Sequence, residues 1–227
     1  MDSKEKFYTS IQEITFLNQK IGNNNEDKAL FKSIVLLLSA KLEKYVKDSA
    51  QEYVQELLKL NLTKNDIPQE LFVEIIKNEV NTINNVKIEN YLTKEKYIER
   101  SRVLSLIWDD KRILKSLKCE EFSISISNNG TNEFESVYKK IGFPNIINEL
   151  EDYVLNEDVL DNICSSTSYS IKEIINSIIH MRNNIIHDDA TPQITPSDIK
   201  LYIEVVKSFV DQIDSKLGNT IESLKNK

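Results

Sequence analysis

The stretch IKEIINSIIHMRNNIIHDD, residues 171–189, sets a dense apolar helical pattern around both histidines of the chain. On a regular helix, at about 100° per residue, its apolar side chains gather on one side. Its polar side chains gather on the other side: His180, Asn183, Asn184 and His187. Arg182 is the exception, since it falls near the middle of the apolar side, where an unpaired guanidinium is costly. The stretch therefore predicts a helix with a core-facing side and a polar end that is a candidate site.

Arg182 can be accommodated in three ways: paired with another side chain, snorkelled to water, or placed in a seam between two bodies. On a regular helix its direction differs from that of His187 by roughly 140°. For both to serve one site, the helix must loosen before His187, or the two must meet groups from a second copy. A histidine near a helix C-terminus and asparagines in the last turn are also ordinary helix-end features. The residues by themselves leave a helix terminus and a site both open.

The composition favours a helical fold. The 227-residue chain is 40% apolar and 29% charged, and it holds only four glycines and four prolines. So few turn-forming residues argue for long helices and against a sheet-rich fold. We expect one all-α domain over residues 1–227, with N-terminal and mid-chain helical elaborations. Amphipathic patterns predict its helices at about 5–21, 27–60, 68–91, 94–118, 132–142, 145–154, 168–187 and 195–224.

Local signals mark the ends of two of these helices. Thr195, Pro196 and Asp198 predict a helix start, because threonine caps, proline fits the first position and aspartate favours the positive end. Asn132 with Glu135 predicts a capping pair for the short helix before residue 142.

Two segments are expected to be irregular. The run EEFSISISNNG, residues 120–130, is strand-like, but one such run cannot make a sheet, so we expect a loop-like insert. The segment CSSTS, residues 164–168, is expected to be a polar connector ahead of the penultimate helix.

Several function classes lack their sequence signals. Four scattered glycines cannot build a phosphate-cradling loop, and no serine lies between glycines as a hydrolase nucleophile often does. Two histidines and the distant Cys119 and Cys164 present no metal-ligand spacing, so we expect neither a metal nor a cofactor. Unpaired cysteines, the absence of an apolar leader and a longest apolar run of only residues 34–40 predict a cytoplasmic, soluble protein.

Charge is distributed unevenly along the chain. The net charge of −7 disfavours a general nucleic-acid binder. Residues 94–118 nevertheless carry eight basic against four acidic side chains. This basic segment is either an ordinary solvated helix face or a contact strip for a polyanion. The second interpretation makes Lys111, Arg112 and Lys115 candidate RNA-binding residues.

The segment RNNIIH, residues 182–187, resembles the R-N-x-x-x-H signature of the HEPN superfamily, the higher eukaryotes and prokaryotes nucleotide-binding domains. The context is similar too, because TPSDIKLYIEVVKSFVDQID, residues 195–214, follows as a last helix. The segments LLLSAKLEKYVKDSAQEYV, residues 36–54, and SNNGTNEFESVYKKIGFPN, residues 127–145, look like the bacterial branch linked to toxin and phage-defence systems. The resemblance covers about residues 25–220 and implies a helical bundle of the HEPN type.

The resemblance implies an RNA endonuclease that needs no metal and no cofactor. The substrate's own 2′-hydroxyl can be the nucleophile, which leaves a 2′,3′-cyclic phosphate. His187 would then move protons, Arg182 would hold the phosphate bidentately, and Asn183 would orient either group. One motif supplies one histidine, and the resemblance implies that two motifs pair across a homodimer seam. It also implies a cognate antitoxin or a defence partner protein.

The sequence departs from many relatives directly after the motif. They have a glycine after the histidine, or a tyrosine two residues beyond it, whereas Asp188 and Asp189 follow His187 here. Two acids would repel RNA phosphate unless they point away or help to position a partner. The alternative function is therefore a non-catalytic HEPN-like module that binds a nucleotide or a partner protein. Arginine, asparagine and histidine together favour the nuclease, while the acidic charge favours the binding module.

Overall fold

Helices build most of the described part of the protein. A computed structural model describes residues 2–22, 27–84, 130–159 and 163–226, with a few single positions between 94 and 108. The all-α class predicted from the sequence is confirmed, with one small antiparallel pair of strands added to it. Among the described residues, the elements in chain order are α1 (Asp2–Gln19), α2 (Asp27–Lys59), α3 (Gln69–Asn84), α4 (Thr131–Lys140), β1 (Tyr153–Val159), β2 (Ile163–Tyr169), α5 (Ile171–Asp188) and α6 (Pro196–Lys225).

The helix α2 is the centre of the bundle. Its apolar residues recur every three or four positions and cover a wide sector of the helix surface. The helix therefore buries side chains against several neighbours. It packs against α1, α4, α5 and α6. Near its middle, the buried Tyr45 hydroxyl donates a hydrogen bond to the Val210 carbonyl oxygen of α6 at 3.0 Å. The long helix predicted over residues 27–60 is confirmed.

The helix α6 begins as the sequence predicts. Thr195 Oγ1 accepts a hydrogen bond from the Asp198 backbone N–H at 3.2 Å, and Asp198 Oδ2 accepts one from the Thr195 backbone N–H at 2.7 Å. Pro196 occupies the first turn, where its missing N–H costs nothing. Asn18, near the end of α1, donates from Nδ2 to the Pro196 carbonyl oxygen at 3.1 Å. The end of α1 and the start of α6 therefore lie together.

The helix α4 begins earlier than predicted and is capped by a different residue. Its first helical residue is Thr131, and no side chain next to it in sequence caps it. The Thr131 backbone N–H and Oγ1 both donate to Asn176 Oδ1 of α5 at 3.0 Å. Glu135 instead accepts a backbone N–H from the turn that follows α4. The predicted Asn132–Glu135 capping pair is wrong, because α5 supplies the acceptor through a tertiary contact.

Two predictions for the segment between α4 and α5 are also wrong. Residues 145–154 form turns and the start of β1 instead of a helix, with Ile146 and Ile147 buried in the core. The expected polar connector at 164–168 lies within β2, which pairs with β1 in antiparallel register. Each strand forms its backbone hydrogen bonds with the other strand. The polar, serine-rich composition of residues 164–168 does not by itself predict this pairing.

Several predictions fall outside the described residues. They are most of the basic segment 94–118 with Lys111, Arg112 and Lys115, the strand-like run up to residue 129, and residues 85–91 of the helix expected at 68–91. The helix α3 agrees with the described part of that last prediction. Among the described residues, no helix is both long enough and apolar enough to span a membrane.

Candidate functional site

The helix that carries the arginine–histidine motif is well anchored at its start. Ser170 caps α5, because its side-chain oxygen accepts a hydrogen bond from the Glu173 backbone N–H at 3.4 Å. Ile171, Ile175 and Ile178 are buried, and α5 packs against α2, α4 and α6. The helix predicted over residues 168–187 is confirmed from residue 171 onward, since residues 168 and 169 lie in β2, and its apolar side faces the core as the pattern indicates.

The motif lies in the last two turns of α5, and the helix stays regular through it. The α-helix continues to Asp188, one residue beyond His187. It does not loosen before His187, so Arg182 and His187 keep directions that differ by roughly 140°. One chain therefore presents the two side chains on different sides of α5.

Arg182 lies where the buried side of α5 leaves the core. It is half-buried, and its Nη1 donates to Asn183 Oδ1 at 3.0 Å. One turn later, on the same side of the helix, Ile186 is 51% exposed. Ile185 is still buried, so the uncovered part of this apolar side is Ile186, next to the half-buried Arg182. The sequence allows three arrangements of Arg182. The structure shows pairing with a neighbouring side chain, and the exposed Ile186 also leaves room for a second body at this surface.

The two histidines lie on the exposed side of α5. His180 Nε2 is 3.2 Å from Asn184 Nδ2, a hydrogen bond within the helix. His187 is exposed, and its ring makes no hydrogen bond to any residue that the structure describes. An exposed imidazole without a fixed partner is accessible to a ligand and can accept or donate a proton there.

Lys32, which the sequence pattern did not indicate, contacts the end of α5. Asp189 adopts a left-handed conformation, with φ 51° and ψ 25°, and its backbone N–H donates to the Asn184 carbonyl oxygen. The Ala190 backbone N–H donates to the same oxygen at 3.2 Å. Lys32 Nζ, from α2, donates to the Asp189 carbonyl oxygen and to Asp189 Oδ1, each at 2.6 Å. The two residues are 157 positions apart in the chain, so no local sequence pattern predicts this contact.

The two acids after the motif have different surroundings. Asp189 forms an ion pair with Lys32, whereas Asp188 is exposed and has no ion-pair partner among the described residues. The candidate RNA-binding residues Lys111, Arg112 and Lys115 lie outside the described residues. Within the described ranges, no group of three or more histidine, cysteine, aspartate or glutamate side chains could hold a metal ion.

The fold and the motif together define a class of protein. A helical bundle whose penultimate helix ends in R-N-x-x-x-H, with a last helix packed beside it, is a bundle of the HEPN type. The chain belongs to the RiboL-PSP-HEPN family, whose family model matches residues 5–219. Searches of curated proteins and of solved structures found no match. Membership indicates a nuclease-like or RNA-related module.

Proposed function

We propose that the protein is a metal-independent RNA endonuclease that acts as a homodimer with a composite site built from Arg182, Asn183 and His187. The observation that carries the proposal is the geometry of α5. The helix is regular to Asp188, so a single chain separates Arg182 from His187, while Ile186 leaves apolar surface uncovered beside them. A second copy seated there would cover that surface and bring further motif residues to the first.

The chemistry needs two proton-transfer groups and one anion clamp. A general base removes the proton of the 2′-hydroxyl, the 2′-oxygen bonds to phosphorus, and the bond from phosphorus to the 5′-oxygen breaks. A general acid protonates that leaving oxygen, and the product ends in a 2′,3′-cyclic phosphate. One His187 from each copy would supply the base and the acid. Arg182 would bind the phosphate oxygens and stabilise the charge of the transition state, with Asn183 holding its guanidinium.

Substrate capture and biological setting extend the proposal. Lys111, Arg112 and Lys115 would attract the RNA backbone, since the rest of the chain carries net negative charge. The resemblance of residues 36–54 and 127–145 to bacterial relatives supports a toxin or phage-defence role, with a cognate antitoxin or defence partner.

A cleavage assay with chemically defined substrates tests the proposal. Cleavage should persist in EDTA, yield a 2′,3′-cyclic phosphate and fail on an oligonucleotide with 2′-deoxy at the scissile position. His187→Ala should lose at least ~10²-fold in rate, since it removes a positioned acid–base group. His180→Ala is the matched control on the same helix side and should lose much less, because His180 hydrogen-bonds within the helix. Metal-dependent cleavage of the 2′-deoxy substrate, or full activity of His187→Ala, would overturn the mechanism.

The second candidate function is a non-catalytic module that binds a nucleotide or a partner protein. The specific observation in its favour is Asp188, an exposed acid beside His187 with no ion-pair partner among the described residues, in a chain of net charge −7. An acid there would weaken RNA binding more than it would weaken binding to a basic protein surface. Absence of cleavage under all conditions, with retained affinity for a partner, would favour this module.

A further inference from the structure

Lys32 contacts one residue of the α5 terminus at two points. Its Nζ lies 2.6 Å from both the carbonyl oxygen and Oδ1 of Asp189. The Lys32 side chain is only 21% exposed, although that of Asp189 is 94% exposed. The lysine is therefore the packed member of the pair, and it reaches out from α2 to hold the end of a different helix.

The residue that Lys32 holds has an unfavourable backbone conformation. Asp189 is the one non-glycine residue of the described chain with a positive φ. A left-handed residue at the end of a helix is usually glycine, and an L side chain there costs free energy even though aspartate tolerates it better than most. Lys32 Nζ donates to the Asp189 carbonyl oxygen while Asp189 is in this conformation, so the contact stabilises the turn.

This turn fixes the backbone of the last residues of α5. The backbone N–H groups of Asp189 and Ala190 both donate to the Asn184 carbonyl oxygen, which closes the helix around residues 185–188. His187 lies inside this closed segment, and its ring has no hydrogen bond to the described residues. Its position therefore depends on the backbone that carries it.

We infer that Lys32 is a positioning residue, which fixes the α5 terminus through Asp189 and thereby places His187 for proton transfer; the catalytic part of this inference rests on the proposed function. A different role would be electrostatic, with Lys32 only cancelling the negative charge of Asp189 near the RNA. The two roles separate experimentally. Misplacing an acid–base group lowers kcat, whereas uncancelled charge weakens substrate binding and raises KM.

The kinetic experiment compares Lys32→Met with a matched control on the same helix. Lys41→Met removes a similarly packed lysine of α2, 17% exposed, whose Nζ pairs with Glu13 Oε2 at 2.8 Å, away from α5. We expect Lys32→Met to lower kcat by about 10-fold or more with little change in KM, and Lys41→Met to leave both constants near those of the wild type. Lys32→Arg should restore most of kcat, because arginine can also donate at two points. A raised KM with unchanged kcat would overturn the inference.

A double variant tests the electrostatic role directly. Lys32→Met combined with Asp189→Asn removes the lysine and the acid together. If charge cancellation were the role of Lys32, this variant would recover the activity lost in Lys32→Met. We expect no recovery, because the contact that holds the turn is still missing.

Amide hydrogen exchange tests the positioning without any cleavage assay. In Lys32→Met, the backbone N–H groups of Asp189 and Ala190 should exchange about 10-fold faster or more, since local opening of this turn becomes easier. Lys41→Met should leave them unchanged. Unchanged exchange in Lys32→Met would overturn the inference whatever the enzyme does. If the wild-type protein cleaves no RNA but this exchange increases as expected, the proposed function fails and the structural role of Lys32 stands.

Discussion

At the scale of single residues, buried polar atoms in the helical core differ in whether they have partners. The Tyr45 hydroxyl donates to the Val210 carbonyl oxygen, and the Tyr138 hydroxyl lies 2.9 Å from Ser49 Oγ. The Tyr53 hydroxyl is buried and has no hydrogen-bond partner among the described residues. Burial raises the pKa of Tyr53, as expected for a phenol that has lost its water. A buried hydroxyl without a partner costs free energy, so Tyr53 is a weak point of the core.

Tyr53→Phe is therefore expected to stabilise the protein. The substitution removes the unpaired hydroxyl and keeps the ring, which packs edge-on against Phe143 with 5.2 Å between ring centroids. The free energy of unfolding should rise by about 1 kcal/mol in chemical denaturation. Tyr45→Phe is the control and should lower it by a similar amount, since a made hydrogen bond is lost. Equal destabilisation by both variants would mean that the Tyr53 hydroxyl has a partner after all.

Two residues of the site differ in whether the local sequence can predict them. Arg182 is visible in the sequence, because a charged residue interrupts an apolar helical side, and a helical wheel needs only the spacing. Lys32 is not visible, because lysine is common on helix surfaces and its partner lies 157 residues away. Only the packing of α2 against α5 distinguishes Lys32 from the other lysines of α2.

At the scale of elements, contacts between segments set the boundaries that local signals miss. Gly142 follows α4 with φ 99°, a conformation that L side chains rarely adopt. A Cβ at this position would lie 2.3 Å from the Pro68 Cβ, just before the start of α3. Both the backbone conformation and the close approach therefore require glycine where α4 ends against the start of α3.

Gly142→Ala and Gly218→Ala should have opposite effects on stability. Gly142→Ala is expected to lower the free energy of unfolding by about 2 kcal/mol or more, since the proline ring cannot yield easily. Gly218 lies inside α6, and a Cβ there would meet nothing within 4 Å. Gly218→Ala should raise the free energy by up to ~1 kcal/mol through better helix propensity. Thermal or chemical denaturation measures both, and a neutral Gly142→Ala would contradict the packing argument.

The wrong element predictions share one physical cause. The segment at 164–168 is a strand because β1 supplies its hydrogen-bond partners. Residues 145–149 form turns in which the Ile147 backbone N–H donates to the Glu135 side chain of α4, at 3.1 Å. In both cases the partner lies outside the segment itself. By contrast, the start of α6 was predictable, because Thr195 and Asp198 satisfy each other within one turn.

At the scale of the whole molecule, the proposed site requires two copies of the chain. Each copy presents His187 on an exposed side of α5 and carries one motif histidine. A closed two-fold dimer would place the same surface of each copy against the other, so the two motifs would meet at one seam. The wild-type protein should then run as a dimer in light scattering at micromolar concentration.

Heterodimers with one altered chain test the composite site. A dimer of one wild-type chain and one His187→Ala chain, purified through two different tags, should lose at least ~10-fold in rate, because either the acid or the base is missing. A dimer of one wild-type chain and one His180→Ala chain is the control and should remain active. If each chain held a complete site, the His187→Ala heterodimer would keep about half of the activity. Retention of half of the activity would rule out the composite site.

The sequence by itself determined the helical class, the places of the long helices and the arginine–histidine motif. These depend on periodicity and on contacts within one turn, both of which can be read over a few residues. Only the tertiary structure decided that Asn176 caps α4, that Gly142 lies against Pro68 and that Lys32 holds Asp189 beside His187. These contacts join residues far apart in the chain, and their free energy arises only after the helices have packed together.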